Sequence, residues 1–300
     1  MGKRIISAIV GIGLFLGGCF ASRDAFAVAV TVLTAFSLLE WLRAYRAAQP
    51  ATPKRRLALW LNTFAAALGI AYSPFAHVIL PHLILPTIQF ISPLIHEPIM
   101  FYALTLGGFV IVFATRVFAA NRAGAALGRW RFLYGVIGMV YLGALFSSLV
   151  LLRDMPGRIS VEPFGLAARG AWLLLFVAAC VWATDTFAFF AGRSFGRRKL
   201  APKLSPGKTV EGFIGGLLGA MLTGGLFAAW IHLPLAVGLA IGGMAGIVGP
   251  LGDLFESALK RELGLKDFGR VMPGHGGLLD RFDSLLFVAP LAYLMLKLEF

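Results

Sequence analysis

Long apolar segments alternate with short polar loops along most of the chain. The apolar runs fall near 5–21, 26–42, 57–73, 100–118, 132–152, 170–191, 212–231, 235–252 and 284–298. Runs of about 20 residues match the length of a membrane-spanning helix. In lipid every backbone polar group must be bonded internally, which a helix achieves, and the runs lack the polar–apolar alternation of a membrane barrel. The pattern predicts an all-α, polytopic integral membrane protein.

The segment 74–98 interrupts this pattern because it holds five prolines, and proline disfavours a continuous helix. Loop charge decides whether it crosses the membrane, since cytoplasmic loops collect Lys and Arg. Basic residues cluster at the N-terminus and in 43–56, 116–131 and 193–208. All these clusters are cytoplasmic only if 74–98 does not cross. The prediction is therefore nine spans, with the N-terminus inside and the C-terminus outside.

No linker or internal repeat divides the chain, so we expect a single membrane domain over 1–300. The helices within 1–152 would form a scaffold with access for lipid, and the helices within 170–300 carry the motifs described below. Under the nine-span prediction, the loops 192–212 and 253–283 both reach the cytoplasmic face. A polar cleft facing the cytoplasm is expected between the N-terminal and C-terminal helices.

Composition supports the assignment as a membrane protein and favours lipids over nucleic acid as partners. Hydrophobic residues make up 59% of the chain and charged residues 14%, against about 25% charged in soluble domains. The net charge of +13 permits nucleic-acid binding, but its concentration in loops favours orientation and contact with anionic lipid headgroups. Membrane lipids, and no nucleic acid, are the predicted partners. Cys19 and Cys180 lie in apolar runs and offer neither a disulfide framework nor a metal spacing.

Four aspartates, Asp185, Asp253, Asp280 and Asp283, lie within or at the ends of apolar runs. A carboxylate at membrane depth costs about 2.5–3.5 kcal/mol on insertion scales and therefore indicates a function. Helix capping is the alternative. It accounts for Asp280 or Asp283 at the start of the last run, but not for Asp185 in the middle of a run. It also fails for Asp253, at the C-terminal end of an apolar run, where the helix dipole disfavours an anion.

Clustered carboxylates on the cytoplasmic side predict a hard divalent cation. Mg²⁺ takes one or two carboxylates and completes its shell with water and substrate phosphates. Zinc is not expected, because His275 is the only histidine among these motifs and no thiolate is near.

Basic and hydroxyl side chains stand in the same loops as the acids. They are Arg193, Lys203, Ser205, Lys208, Thr209, Lys260, Arg261, Lys266, Arg270, His275 and Arg281. Phosphate esters need such donors, and the glycines of "PGHGG" let backbone N–H groups approach an anion. An ordinary tight loop is the alternative for "PGHGG", and positive-inside charge accounts for part of the basic set. Acids and bases together predict phosphoryl or nucleotidyl transfer between a soluble polyphosphate and a lipid.

"PGKT" at 206–209 resembles part of a nucleotide-binding P-loop. That motif needs a glycine five residues before its Gly–Lys pair, and here the position is Pro202. The stretch also lies between two predicted spans. A P-loop is therefore excluded.

The segment "SALKRELGLKDFGRVMPGHGGLLDRFD", residues 257–283, resembles the signature of phosphatidate cytidylyltransferases, also called CDP-diacylglycerol synthases. The residues in register are Ser257, Lys260, Arg261, Lys266, Asp267, Gly269, His275, Gly276, Gly277, Asp280, Arg281 and Asp283. "SPGKTVEG" and the stretch 185–193 are similar to further family segments. Phe268, Met272 and Gly207 depart from the pattern without removing a charged group. The resemblance covers about 185–283, and further upstream it rests on the multi-span hydropathy.

The resemblance implies transfer of CMP from CTP to phosphatidic acid, giving CDP-diacylglycerol and pyrophosphate. It implies Mg²⁺ and a second, monovalent cation such as K⁺. The implied catalytic residues are Asp253, Asp280, Lys260 and Lys266, and the implied metal ligands are Asp253, Asp280, Asp283 and Asp185. The implied substrate-binding residues are Ser205, Lys208, Thr209, Arg261, His275, Gly276, Gly277, Arg281 and Arg193. The expected location is the bacterial cytoplasmic membrane with the site on the cytoplasmic side, and a homodimer stays open.

Two alternatives stay open from the sequence. A CTP-dependent enzyme acting on another membrane alcohol or lipid phosphate would use the same chemistry. An ion-coupled transporter would use intramembrane carboxylates, and the proline-rich segment 74–98 is the one hint of its broken helices. The "DGxxAR…GxxxDxxxD" pattern of CDP-alcohol phosphotransferases does not occur in the chain.

Overall fold

The computed structural model describes residues 2–47, 142, 145–269 and 276–299. The helices are α1 (Gly2–Phe20), α2 (Arg23–Ala47), α3 (Arg169–Phe195), α4 (Val210–Trp230), α5 (Leu235–Glu262) and α6 (Leu279–Glu299), and 145–153 is helical as well. The strands are β1 (Arg158–Val161), β2 (Gly165–Ala168), β3 (Lys199–Ala201) and β4 (Ser205–Thr209). The predicted runs 57–73 and 100–118, most of 132–152, and the segment 74–98 lie outside the described residues.

Several helices have the length and composition of membrane spans. Within the described ranges these are Arg23–Trp41, Arg169–Phe195, Val210–Trp230 and Leu235–Arg261. Each is long enough to cross a hydrocarbon core of about 30 Å. A mostly helical membrane protein is therefore confirmed, while the count of nine spans stays a prediction.

Two antiparallel hairpins depart from the predicted all-α architecture. β1 pairs with β2 and β3 pairs with β4, each as a separate two-stranded sheet. Ile159 and Val161 are β-branched, which favours an extended chain, and the turn between β3 and β4 contains Pro202. Segments of three to five residues are too short to give a sequence signal against long apolar runs.

The described chain divides into two compact units. In the first, Met1–Phe26 with Ser148–Phe300, α4 packs against both α3 and α5, and α6 packs against α5. α1 lies on α3, with the rings of Phe15 and Trp182 5.5 Å apart in an edge-on arrangement. In the second, Ala27–Ser147, the described part of α2 buries Leu38 and Trp41.

α4 and α5 approach each other at glycines. A Cβ on Gly242 would collide with the carbonyl oxygen of Ala220 and lie 2.8 Å from the Cα of Met221. The next residue, Gly243, faces only the side chain of Met221, at 3.6 Å. Small residues at such contacts let membrane helices pack backbone to backbone.

The substitution Gly242→Ala is expected to lower the midpoint of unfolding in detergent, whereas Gly243→Ala is not. Overpacking a tight contact costs about 1–3 kcal/mol. Both variants gain the same helix propensity, about 1 kcal/mol, so their difference isolates the contact with Ala220. Equal midpoints for the two variants would contradict the close α4–α5 packing.

Chain reversals bring two polar segments to one end of the first unit. α3 ends and α4 begins beside the β3–β4 hairpin, and α5 ends and α6 begins at the same end. The opposite end carries the β1–β2 hairpin, where the indole N–H of Trp230 donates to the carbonyl of Glu162 at 3.1 Å. We call the end with the β3–β4 hairpin and the α5–α6 loop the motif end.

Candidate functional site

The two predicted loops meet through an ion pair between β4 and α5. The Nζ of Lys208 lies 2.6 Å from Oδ2 of Asp253 and also donates to the carbonyl of Pro250 at 3.3 Å. The other carboxylate oxygen of Asp253 accepts from the Ser257 hydroxyl at 3.4 Å. The side chains of Lys208 and Asp253 are 24% and 31% exposed, so this pair is open to water and solutes.

Further carboxylates surround this ion pair. Asp185 on α3 interacts electrostatically with Asp253, Lys208 and Arg281, and Asp283 on α6 interacts with Asp253 and Asp185. α6 comes this close because of Gly252, where a Cβ would lie 3.0 Å from the carbonyl oxygen of Asp283. Asp185 and Asp283 therefore both lie near Asp253, and Asp283 also interacts with Lys260.

The fourth acid, Asp280, belongs to a second, buried cluster. The Nζ of Lys260 lies 2.7 Å from Oδ1 of Asp280 and 2.9 Å from Oε1 of Glu256. The three side chains are only 4–12% exposed. The cluster joins α5 to the start of α6, because Glu256 and Lys260 are one helical turn apart and Asp280 faces them from the next helix.

Asp280 also orders the loop before α6. Its Oδ2 accepts backbone N–H groups from Phe268 at 3.2 Å and from Gly277 at 2.7 Å. Gly276 has φ +87°, a conformation that L side chains rarely adopt. An ionised carboxylate offers about four acceptor positions, and Lys260, the two backbone N–H groups and the adjacent Glu256 carboxyl group engage all of them.

The other predicted residues differ in exposure. Arg193, Arg261, Lys266 and Arg281 are exposed, Ser205 is half-buried, and the buried Thr209 caps α4 by accepting the N–H of Gly212 at 3.1 Å. Arg261 donates to the carbonyl of Leu265 at 3.5 Å. His275 and Arg270 lie outside the described residues.

One argument made from the sequence is wrong. At the C-terminal end of an apolar run, Asp253 was expected to meet an unfavourable helix dipole, but α5 continues past it to Glu262. The stretch after the apolar run is rich in Glu, Ala, Leu and Lys, which are good helix formers, so the helix has no reason to stop. The helix dipole therefore gives no reason to reject a structural role for Asp253. The case for a functional role rests on its contact with Lys208.

Glu256 is a site residue that the sequence analysis missed. Its side chain is 5% exposed, and its Oε2 has no hydrogen-bond partner among the described residues. The available signal was its spacing of four residues from Lys260 in "ESALK". That spacing usually marks an exposed helical ion pair, so it gave no reason to expect burial.

The donor set suits a magnesium ion. Within the described ranges no three acidic, histidine or cysteine side chains converge closely enough to enclose a metal. A fully enclosed zinc or calcium site is not formed there, but Mg²⁺ needs only one or two carboxylates with water and phosphate oxygens. Asp253, whose Oδ2 contacts the partly exposed Lys208, has the chemistry of such a ligand.

Comparison with known proteins identifies the family of the chain. The sequence model of the family described as "Cytidylyltransferase family" matches residues 2–299. A Synechocystis protein named phosphatidate cytidylyltransferase is 32% identical over 97% of this chain and 94% of its own length. Proteins of the same name from Bacillus subtilis and Thermotoga maritima are 40% and 43% identical, over 54% and 43% of this chain. These two alignments span 57% and 50% of the relatives' own length.

Proposed function

Because the chain belongs to the cytidylyltransferase family, we propose that it transfers CMP from CTP to phosphatidic acid, giving CDP-diacylglycerol and pyrophosphate. The observation that carries the proposal is the contact between Lys208 and Asp253. It joins a phosphate-binding group to a metal-binding group just before the start of α4 and in the last turns of α5, two helices of membrane-spanning length. A soluble nucleotide and a lipid phosphate can meet only at such a boundary.

Mg²⁺ is the proposed cofactor. Asp253 would be its principal ligand, and Asp283 and Asp185 are near enough to add negative charge. Asp280, the fourth acid that the resemblance implies, is held by Lys260 in the buried cluster. When bound, the ion withdraws charge from phosphate oxygens and lowers their mutual repulsion. The monovalent second cation stays an expectation from the resemblance.

The transfer forms one bond and breaks one. A phosphate oxygen of phosphatidate bonds to the α-phosphorus of CTP. The bond from that phosphorus to the oxygen bridging to the β-phosphate breaks, and pyrophosphate leaves with the electron pair. Phosphatidate is already an anion, so no enzyme side chain needs to become covalently attached.

The basic residues of the motif end bind and orient the phosphates. Lys208 is the central donor because it is the cation nearest the carboxylate group around Asp253. Arg281, Lys266, Arg261 and Arg193 are exposed on the segments of the motif end and would stabilise the charge of the departing pyrophosphate. The loop at Gly276 and Gly277 lies beside Asp280 and presents backbone to the same region.

The proposed location is the bacterial cytoplasmic membrane, with the motif end facing the cytoplasm. The β3–β4 hairpin and the residues before it expose Arg197, Arg198, Lys199 and Lys203 at this end. Cytoplasmic loops carry such an excess of positive charge. CTP is then available to the site from solution, and phosphatidate from the adjoining leaflet.

Purified full-length protein in detergent is expected to release pyrophosphate from CTP only when phosphatidate and Mg²⁺ are both present. The measurement is pyrophosphate release, coupled to detection of a CDP-lipid from labelled CTP. No ion gradient exists in detergent, so turnover there also excludes a transporter that needs one.

A matched lipid separates the proposed substrate from its nearest alternative. Polyprenyl phosphate carries a similar phosphate on a different lipid and is expected to give less than about one tenth of the phosphatidate rate. Equal or faster turnover with polyprenyl phosphate would assign the protein to another CTP-dependent lipid reaction. Absence of turnover with either lipid would contradict the proposed function.

A further inference from the structure

We propose that Lys208 is an exchangeable counter-ion of Asp253: a divalent cation displaces its ammonium group from the carboxylate and thereby frees it to bind a phosphate. The inference rests on the proposed function, since it concerns the order in which that site takes up metal and nucleotide. It begins from one contact, the 2.6 Å ion pair between Nζ of Lys208 and Oδ2 of Asp253.

A divalent cation and this ammonium group compete for the same oxygen. Oδ1 of Asp253 accepts from Ser257, so Oδ2 is the oxygen through which the carboxylate is held by charge. A cation bound to that oxygen would lie within a few ångströms of Nζ and repel it. Binding of the metal therefore requires the ion pair to open.

The environment of Lys208 allows its ammonium group to separate from Asp253 at low cost. Its side chain is 24% exposed, and its second partner is the neutral carbonyl of Pro250 at 3.3 Å, so release leaves no buried charge without a partner. Lysine carries its charge on a flexible four-carbon stem. Lys260 is the contrasting case, since two carboxylates hold it and it is only 12% exposed.

The exchange links metal binding to nucleotide binding. While the ammonium group of Lys208 is paired with Asp253, the carboxylate neutralises its charge. After displacement, the full charge is available to attract a phosphate. Metal binding then strengthens phosphate binding, and by linkage phosphate binding strengthens metal binding by the same factor. The carboxylate group also stays neutralised by a protein cation until the metal arrives, which reduces repulsion among Asp185, Asp253 and Asp283.

The test measures Mn²⁺ binding to the full-length protein in detergent, from the paramagnetic resonance signal of free Mn²⁺. With no competing ammonium group, Lys208→Met is expected to bind Mn²⁺ about tenfold more tightly than the unmodified protein, within the range of ordinary site coupling. Lys199→Met is the matched control, because Lys199 is an exposed lysine on the partner strand of the same hairpin. It is expected to change the affinity less than twofold.

A second measurement needs no substitution. Acylation of individual lysines, followed by mass spectrometry, is expected to accelerate at Lys208 when Mn²⁺ is added and to stay constant at Lys199. Unchanged Lys208 labelling at saturating Mn²⁺ would overturn the exchange. An equal gain in affinity from Lys199→Met would also overturn it, since the effect would then be general charge removal.

A failure of the lysine exchange can be told apart from a failure of the proposed function. An active enzyme without the exchange contradicts this inference alone, and an exchange without pyrophosphate release contradicts the proposed function alone. Mn²⁺ binding that Asp253→Asn leaves unchanged contradicts both the exchange and the assignment of Asp253 as a metal ligand.

Discussion

Replacing Asp253 with Asn is expected to lower turnover at saturating Mg²⁺ by about a thousandfold. A catalytic metal supplies several kcal/mol of charge stabilisation in the transition state, and about 4 kcal/mol corresponds to that factor. Asn keeps the size of the side chain and loses the negative charge that would bind the ion. The measurement is pyrophosphate release from CTP and phosphatidate, and removal of divalent ions with a chelator is expected to produce a loss of similar size.

Folding is expected to survive this substitution, because Asp253 and Lys208 are both partly exposed and such pairs contribute about 1 kcal/mol or less. Asp154→Asn is the matched control. Asp154 pairs with Arg23 at 2.7 Å and lies just before the β1–β2 hairpin, at the end opposite the motif end. The Asp154→Asn variant is expected to keep wild-type turnover. Near-wild-type turnover of Asp253→Asn at saturating Mg²⁺ would show that the metal assignment is wrong.

The described helices could be predicted from the sequence, because a long apolar run in lipid must hydrogen-bond its own backbone groups and does so as a helix. Runs at 170–191, 212–231 and 235–252 became α3, α4 and α5. Their ends did not follow, since hydropathy marks the part of a helix within lipid and the helix itself stops where capping or chain reversal ends it. α5 extends ten residues past its apolar run for this reason.

The site was predictable in its members and less so in its arrangement. The spacing of charged residues singled out Lys208, Asp253, Lys260 and Asp280, and the structure brings each lysine to an aspartate. Lys208 meets Asp253 where β4 approaches α5, and Lys260 meets Asp280 where α6 approaches α5. That contact is set by small residues such as Gly252, whose role is invisible to a charge pattern.

The ion pair of Lys208 with Asp253 and that of Lys260 with Asp280 differ in exposure, and we infer different roles for them from this difference. The pair of Lys208 and Asp253 is partly exposed and shares a surface with other acids, so solutes can reach and open it. Lys260 is buried between Glu256 and Asp280, and Asp280 in turn holds backbone N–H groups of the following loop. Opening the buried cluster would release that loop, so it serves to hold the site together.

Replacing Lys260 with Met is therefore expected to destabilise the fold by about 3–5 kcal/mol, the cost typical of breaking a buried ion pair from one side. Methionine fills much of the lysine's volume but leaves Asp280 and the neighbouring Glu256 carboxyl group without the ammonium group that bonds both. The measurement is the midpoint of unfolding in a detergent titration. Lys208→Met is the matched control, with an expected change of about 1 kcal/mol or less because its pair is partly exposed.

A double substitution tests the reason for this loss. Glu256→Gln combined with Lys260→Met replaces one of the two carboxyl groups that Lys260 joins with an amide whose NH₂ can donate to Asp280, so the double variant is expected to be more stable than Lys260→Met alone. The coupling energy from this cycle should lie within about 0.5–3 kcal/mol, as for residues in one network. Additive costs would mean that Glu256 and Lys260 act independently despite their 2.9 Å contact, and the cluster could then not be what holds α6 and its preceding loop in place.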